Sequence, residues 1–315
     1  MRRVALLSAL ALLLVACAGS GGPAPAPSPS AFGPTSSSPA RSTSTTEVPA
    51  STLLAAGDIA SCNSTGDEAT AALLAGRPNA QVATLGDNVY ENGTAGEFAN
   101  CYEPTWGREK ARTHPALGNQ EYGVFRAGGY FTEFGAAAGD NVPLGWYSYD
   151  LGAWHVVVLN SNCDVVGCAT GGTQERWLRD DLGAHPNRCT LAIWHHPRFS
   201  SGTTYGPNVN LNSLYTALFD AGVDVLLTAH ESNYERFALL NPAGQPDDAH
   251  GVREFVVGTG GRSHLPLGPP QPGSEVRNDN TYGLLALTLR SNSYQWQFVP
   301  EAGKSFTDSG STNCH

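Results

Sequence analysis

Short apolar runs that stop at small polar turns dominate the chain after residue 51. Residues 52–56 and 81–85 each end at Gly-Asp, and 67–75 between them is rich in Ala and Leu. Strand, helix and strand in that order predict a βαβ unit. Residues 147–150 and 154–160 flank Leu151-Gly152-Ala153, the expected turn of a hairpin. Over 173–182 the apolar positions move to helical spacing, with Trp177, Leu178 and Leu182 on one side. Buried strands are expected at 189–194 and 223–228, with a helix over 211–221 that stops at Gly222. Strands at 254–258, 283–290 and 294–299 complete the pattern. With no internal repeat and no linker after residue 51, the economical reading is one α/β domain, 51–315, with mixed sheets covered by helices.

The first fifty residues follow a different pattern. Arg2 and Arg3 precede an apolar run from Val4 to Ala16, too short to span a bilayer comfortably and ordered like a secretory signal. The run ends Leu14-Val15-Ala16-Cys17-Ala18-Gly19, which resembles a bacterial lipobox. The expectation is a signal peptide at 1–16, removed before a lipidated Cys17, and an exported protein anchored to the bacterial cell membrane on its extracytoplasmic side. An ordinary signal peptide with an incidental cysteine is the other reading. The segment 17–50 is almost all Ala, Gly, Pro, Ser and Thr and buries too little apolar surface to offset its ordering entropy. It reads as a tether of up to ~100 Å.

The 315 residues carry 41% hydrophobic residues and a formal charge of −10, with no Lys/Arg run. A wholly disordered chain, a polytopic membrane protein and a polyanion-binding role are excluded. A small phosphorylated substrate is compatible, because metal ions supply positive charge locally. Six cysteines remain after Cys17, an even count that favours disulfides in an exported chain. Cys163 and Cys168 are close enough for a local staple. Of the remaining arrangements, Cys62 with Cys101 and Cys189 with Cys314 are the expected pairs.

Polar groups sit at the ends of the expected core strands or in their connecting turns. They are Gly57-Asp58, then Gly86-Asp87-Asn88-Val89-Tyr90, then Gly118-Asn119-Gln120-Glu121, then His195-His196-Pro197, then Ala229-His230-Glu231-Ser232. In open α/β sheets ligand sites lie outside the carboxyl ends of strands. Asp, Asn and His there form a mixed oxygen and nitrogen donor set suited to Zn, Mn or Fe. Each group alone reads as a turn or a hydrogen-bonded core residue; the ordered combination does not. The glycine-rich run Gly258-Thr259-Gly260-Gly261-Arg262 lacks the Lys-Ser/Thr of a P-loop and reads as a turn between strands, with a substrate-contacting turn as the second reading. Ser200 and Ser201 have no suitably spaced triad partners, and Asp180-Asp181 reads as a solvated helix face.

This order resembles the calcineurin-like metallophosphoesterases, and within them the purple acid phosphatases. Their blocks run GD, GDxxY, GNH followed by an acid, a His before a small or aromatic residue and Pro, then GHxH. The resemblance extends from about residue 53 to 237 and takes in the Tyr234-Glu235-Arg236 extension. It implies a four-layer α/β/β/α sandwich and a centre for two divalent or trivalent ions (Fe, Zn or Mn). By that resemblance Asp58 and Tyr90 bind the first ion, Asp87 bridges both, and Asn119, His195 and His230 bind the second. His196 takes a substrate-facing place. Asn119 and Gln120 fall at the catalytic block. The implied reaction is hydrolysis of a phosphomonoester or phosphodiester of a small molecule by direct in-line attack, with no covalent phospho-enzyme. Two positions depart from the pattern: Gln120 replaces a His that assists the transferring phosphate, and Ser232 replaces an imidazole of the first metal site. The rival expectation is therefore a non-catalytic scaffold serving as a binding or interaction module. Oligomeric state has no signal in the sequence.

Overall fold

The computed structural model describes residues 22–24, 26 and 48–315, apart from 188. The expected signal segment 1–16, Cys17 and most of the tether 17–50 lie outside the described residues. Among the described residues no helix is long and apolar enough to cross a membrane.

Two mixed sheets form the centre. The first runs Ser309–Asn313, Ser293–Pro300, Gly283–Leu289, Ser51–Ala56, Gln81–Thr84, Thr113–Pro115 in spatial order. The second runs Ser274–Asn278, Tyr234–Leu240, Val252–Val257, Val225–Thr228, Cys189–Ile193, Trp154–Val158, Tyr147–Leu151. Parallel pairing joins the four inner strands of the second sheet from Val252–Val257 to Trp154–Val158, which are buried on both faces and read as apolar runs, and in the first sheet it runs from Ser51–Ala56 through Gln81–Thr84 to the edge strand Thr113–Pro115. The period of two then divides the side chains. Val156, Val158, Leu191, Ile193, Val225 and Leu227 enter the central core together with Leu54, Leu285 and Phe298. Val157, Ala192 and Leu226 point the other way, under Leu178, Leu182, Leu214 and Leu218 of the helices Thr173–Ala184 and Asn212–Asp220. The helix Gly66–Ala75 packs against the strand Gly283–Leu289 of the first sheet. The result is the expected four-layer α/β/β/α sandwich.

The expected central strands and all three of these helices are present, with ends within a few residues of the sequence reading. The expected hairpin pairs Tyr147–Leu151 with Trp154–Val158. Three disulfides join Cys62 to Cys101, Cys163 to Cys168 and Cys189 to Cys314. The last ties the chain terminus to a central strand across 125 residues.

One reading needs correction. Asp181 is not on a solvated face: its side chain is 10% exposed and accepts hydrogen bonds from His155 Nε2 and Ser148 Oγ, both at 2.8 Å. His155 is buried between Asp181 and Asp150, its Nδ1 lying 2.8 Å from Asp150 Oδ1. Burial alone would lower the His155 pKa, but the two carboxylates outweigh it and raise it.

Candidate metal centre

The centre is assembled at the carboxyl ends of parallel strands from both sheets. Beyond the strands Ser51–Ala56 and Gln81–Thr84 the two chains stay zipped together. Asp58 N donates to Gly86 O, Ile59 N to Asp87 O and Ala60 N to Asn88 O, and Ala60–Ser61 pairs with Val89–Tyr90. That zipper brings Asp58, Asp87 and Tyr90 to one point. The Tyr90 hydroxyl lies 2.8 Å from Asp87 Oδ2 and 3.1 Å from Asp58 Oδ1. The second sheet delivers the histidines to the same carboxylate: His195 Nε2 is 3.3 Å from Asp87 Oδ2 and 3.2 Å from His230 Nδ1. Gly57 N donates to Val257 O, which stitches the two sheets together beside the site.

His195 and the two carboxylates are aimed by partners behind them. His195 Nδ1 sits 2.8 Å from Leu85 O, so that nitrogen carries the proton and Nε2 faces Asp87. Gln120 N donates to Asp87 Oδ1 at 2.9 Å. Gly118 is a glycine for a local reason: a Cβ there would stand 2.1 Å from Asp87 Oδ1. Asp58, Asp87, His230 and Ser232 all have φ between 45° and 69°. Left-handed backbone at non-glycine residues costs about 1–3 kcal/mol each, and strain of this kind gathers at sites whose geometry is fixed by function.

Charge is tightly coupled here. Burial, reinforced by Asp87, raises Asp58 to about 6. Burial opposes charge on Asp87 as well, but His195 pulls it down to about 2. Burial likewise opposes charge on His195, but the carboxylates of Asp87 and Asp58 raise it to about 9. Burial and the charge of His195 depress His230 to about 3. Buried carboxylates thus hold a proton on His195, where a cation would serve the same electrostatic need.

The residues fit a metal ion. Ligand atoms of Asp58, Asp87 and His195 lie within 4.8 Å of one another, as do those of His195, His196 and His230. Asn119 Oδ1 is buried without a hydrogen-bond partner. An unpartnered carbonyl oxygen beside such a cluster is a hard donor that a cation would satisfy. His196 Nδ1 is 2.8 Å from Ser161 Oγ, and its ring centroid is 4.3 Å from that of His230. It stands at the same cluster, with Asn119 in the wall of a cleft of about 240 Å³. Gln120 lines a second cleft of about 210 Å³ with Asp87, Tyr90, Tyr205, His230, Ser232 and Arg262.

Ser232 occupies the place of the missing imidazole constructively. Its N–H and hydroxyl donate to Asp58 Oδ2 at 2.8 and 3.1 Å. Glu231 is not among the residues whose ligand atoms cluster here, and its Oε1 accepts from the N–H groups of Tyr205 and Gly206.

Buried glutamates were not assigned roles from the sequence. Glu121 accepts from Gly118 N, Asn88 N and Asp87 N, clamping the turns that carry Asp87 and Asn119; burial, with the Asp87 charge, raises it to about 7. Glu254, Glu235 and Glu231 together fasten the segment after His195: Glu254 takes Arg198 N and Phe199 N, Glu235 takes Ser201 N, and Glu231 takes Tyr205 N. Tyr205 is thereby held over His230, with ring centroids 4.2 Å apart. The position of Glu121 three residues after Gly118 is the one local signal for this role; the other acceptors lie 25 to 56 residues from the groups they bind.

The calcineurin-like phosphoesterase family model matches residues 51–234. Purple acid phosphatase 22 of Arabidopsis thaliana is 30% identical over 144 residues, 43% of this chain and 32% of the relative. Human (Homo sapiens) acid phosphatase type 7 is 28% identical over 180 residues, 49% of this chain and 40% of the relative. The chain thus spans well under half the length of these curated relatives. Among solved structures, the purple acid phosphatase PPD1 of yellow lupin (Lupinus luteus) seeds superposes with a TM-score of 0.68 at 19% identity, covering 84% of this chain and 54% of that one. GAP50, described as the anchor in the inner membrane complex of Plasmodium, gives 0.65 at 15% identity, covering 84% and 89%.

Proposed function

Since the chain belongs to the calcineurin-like phosphoesterase family, we propose that it is a metal-dependent phosphoester hydrolase of acid phosphatase type, acting outside the cytoplasm on a phosphorylated small molecule. The observation that carries this reading is the convergence of Asp58, Tyr90, His195 and His230 on Asp87, with the Asn119 carbonyl oxygen left free beside them. Asp58, Asp87 and Tyr90 would hold a first ion, and Asp87, Asn119, His195 and His230 a second. Such a pair supplies Lewis acidity and a water nucleophile of lowered pKa. The chain's own contribution is orientation: Gln120 N and Ser232 fix the two carboxylates, and Leu85 O fixes the His195 tautomer. The Gln120 amide stands in the cleft as a donor to developing phosphate charge, in a place where the family pattern has His. Three disulfides support an oxidising compartment, consistent with export and anchoring through Cys17.

The deciding experiment is steady-state hydrolysis of aryl phosphates and bis-aryl phosphates with Mn, Zn or Fe added. Turnover above metal-only blanks is expected, and its absence from folded protein under every metal ends this reading. The second reading, a scaffold that binds without turning over, is motivated by Gln120 and Ser232 in place of imidazoles. Wild-type turnover of about 1 per second or faster removes it.

A further inference from the structure

The two clefts beside the metal centre are lined by carboxylates, imidazoles, amides and aromatic rings, and among the described residues by a single guanidinium, that of Arg262. Its place is built with care. Gly260 N donates to Gly57 O and Arg262 N to Asp58 O, both at 2.9 Å, so the glycine-rich turn lies directly on the strand end that carries Asp58. A Cβ at Gly260 would stand 2.5 Å from Gly57 O, which explains the glycine there. The turn does pack between strands, as the sequence suggested, and it also delivers a side chain to the cleft.

The Arg262 guanidinium lies over the Tyr90 ring, 4.9 Å from its centroid, and Nη2 donates to Glu91 Oε1 at 2.6 Å. Nε is buried with no hydrogen-bond partner. The Glu91 side chain is half exposed, so this ion pair is one that a better anion can replace. Stacking on Tyr90 fixes the plane of the fork while leaving donors for a planar or tetrahedral oxyanion.

We propose that Arg262 is the anion-binding residue of this cleft, that it grips a non-bridging oxygen of the substrate phosphoryl group, and that Glu91 holds the guanidinium in place until substrate displaces it. The inference rests on the reading of this cleft as a phosphoester site. It also gives the cleft a cationic group on the side where Gln120 and Ser232 have removed imidazoles.

The test is calorimetric binding of inorganic phosphate to the full manganese-loaded protein, in wild type, Arg262→Gln, Arg262→Lys and Glu91→Gln, with turnover of an aryl phosphate measured in parallel. Loss of a charge-assisted hydrogen bond predicts about ten- to hundredfold weaker phosphate binding in Arg262→Gln. Arg262→Lys, which keeps the charge and loses the fork, falls between that variant and wild type. Glu91→Gln removes the competitor and tightens binding about two- to fivefold. This opposite sign separates anion recognition from general damage. Arg262→Gln binding phosphate as wild type does, Glu91→Gln binding it more weakly, or wild type not binding it at all would each overturn the proposal. Unchanged binding in Arg262→Gln beside intact wild-type turnover removes the subsite and keeps the hydrolase; the expected shifts in a protein with no turnover keep the subsite and remove the hydrolase.

Discussion

Asp87→Ala is expected to reduce turnover by at least about 10³-fold, because it removes the group on which both halves of a two-ion centre depend. No other side chain in the site meets partners from both sheets through one oxygen. Asp87 Oδ2 faces the Tyr90 hydroxyl at 2.8 Å and His195 Nε2 at 3.3 Å, while Oδ1 takes the Gln120 N–H. Asp87→Asn keeps the shape and most of the hydrogen bonding but offers one neutral carbonyl where two ions need a shared anion, and it should fall nearly as far. Metal content, kcat and thermal melting measured together separate loss of the centre from loss of the fold. Activity within about tenfold of wild type in a folded Asp87→Ala variant would mean that the chemistry lies elsewhere.

Gln120→His with Ser232→His is expected to act in the other direction, raising kcat by about 10²-fold or more, the usual worth of a well-placed general acid. Position 120 lines the cleft of Asp87 and His230, so an imidazole there faces the substrate. At position 232 the hydroxyl already touches Asp58 Oδ2, which places a replacement ring at the first metal site. The backbone there has φ 45°, a conformation that His tolerates better than most residues. The single variants divide the effect: Ser232→His should improve retention of the first-site ion, and Gln120→His should improve turnover. Neither change appearing would show that the serine and glutamine are not deficits in this chain.

Most of the strands that carry the site were legible because they are buried apolar runs that end abruptly at Gly-Asp or His. Continuous apolar runs followed by hard or nitrogen donors are a strong local signal. The interior strand Tyr234–Leu240 was missed because Glu235 and Arg236 interrupt its apolar run; the other missed strands of the two sheets have the opposite character. Ser309–Asn313 and Ser274–Asn278 are polar segments at sheet edges, where half the side chains meet water and no apolar period survives. Thr113–Pro115 is too short to show a period. The buried glutamates were opaque for another reason. Glu254 and Glu231 serve backbone N–H groups 55 and 26 residues away, and nothing local marks a carboxylate for that task. In the sequence Ser232 shows only as a lost imidazole; the fold adds that its hydroxyl and N–H orient Asp58. Arg262 looked like the end of a glycine turn until the packing of that turn on Gly57 and Asp58 placed it in the cleft.

Elemental analysis after exhaustive dialysis, paired with a visible absorption spectrum and an activity assay on the same sample, tests the centre most directly. Asp87, Asn119, His195 and His230 offer two imidazole nitrogens and two oxygen donors, whereas Asp58, Asp87 and Tyr90 offer oxygen alone, a set weaker for Zn. The account predicts one ion per chain held at near-full occupancy and a second lost on dialysis, with turnover falling as it leaves and returning when it is restored. Ferric iron beside Tyr90 should add a phenolate charge-transfer band that Tyr90→Phe abolishes. Two ions retained in full would contradict the unequal sites, and a chain that holds no metal at all, with turnover indifferent to added ions, would contradict the metal centre itself.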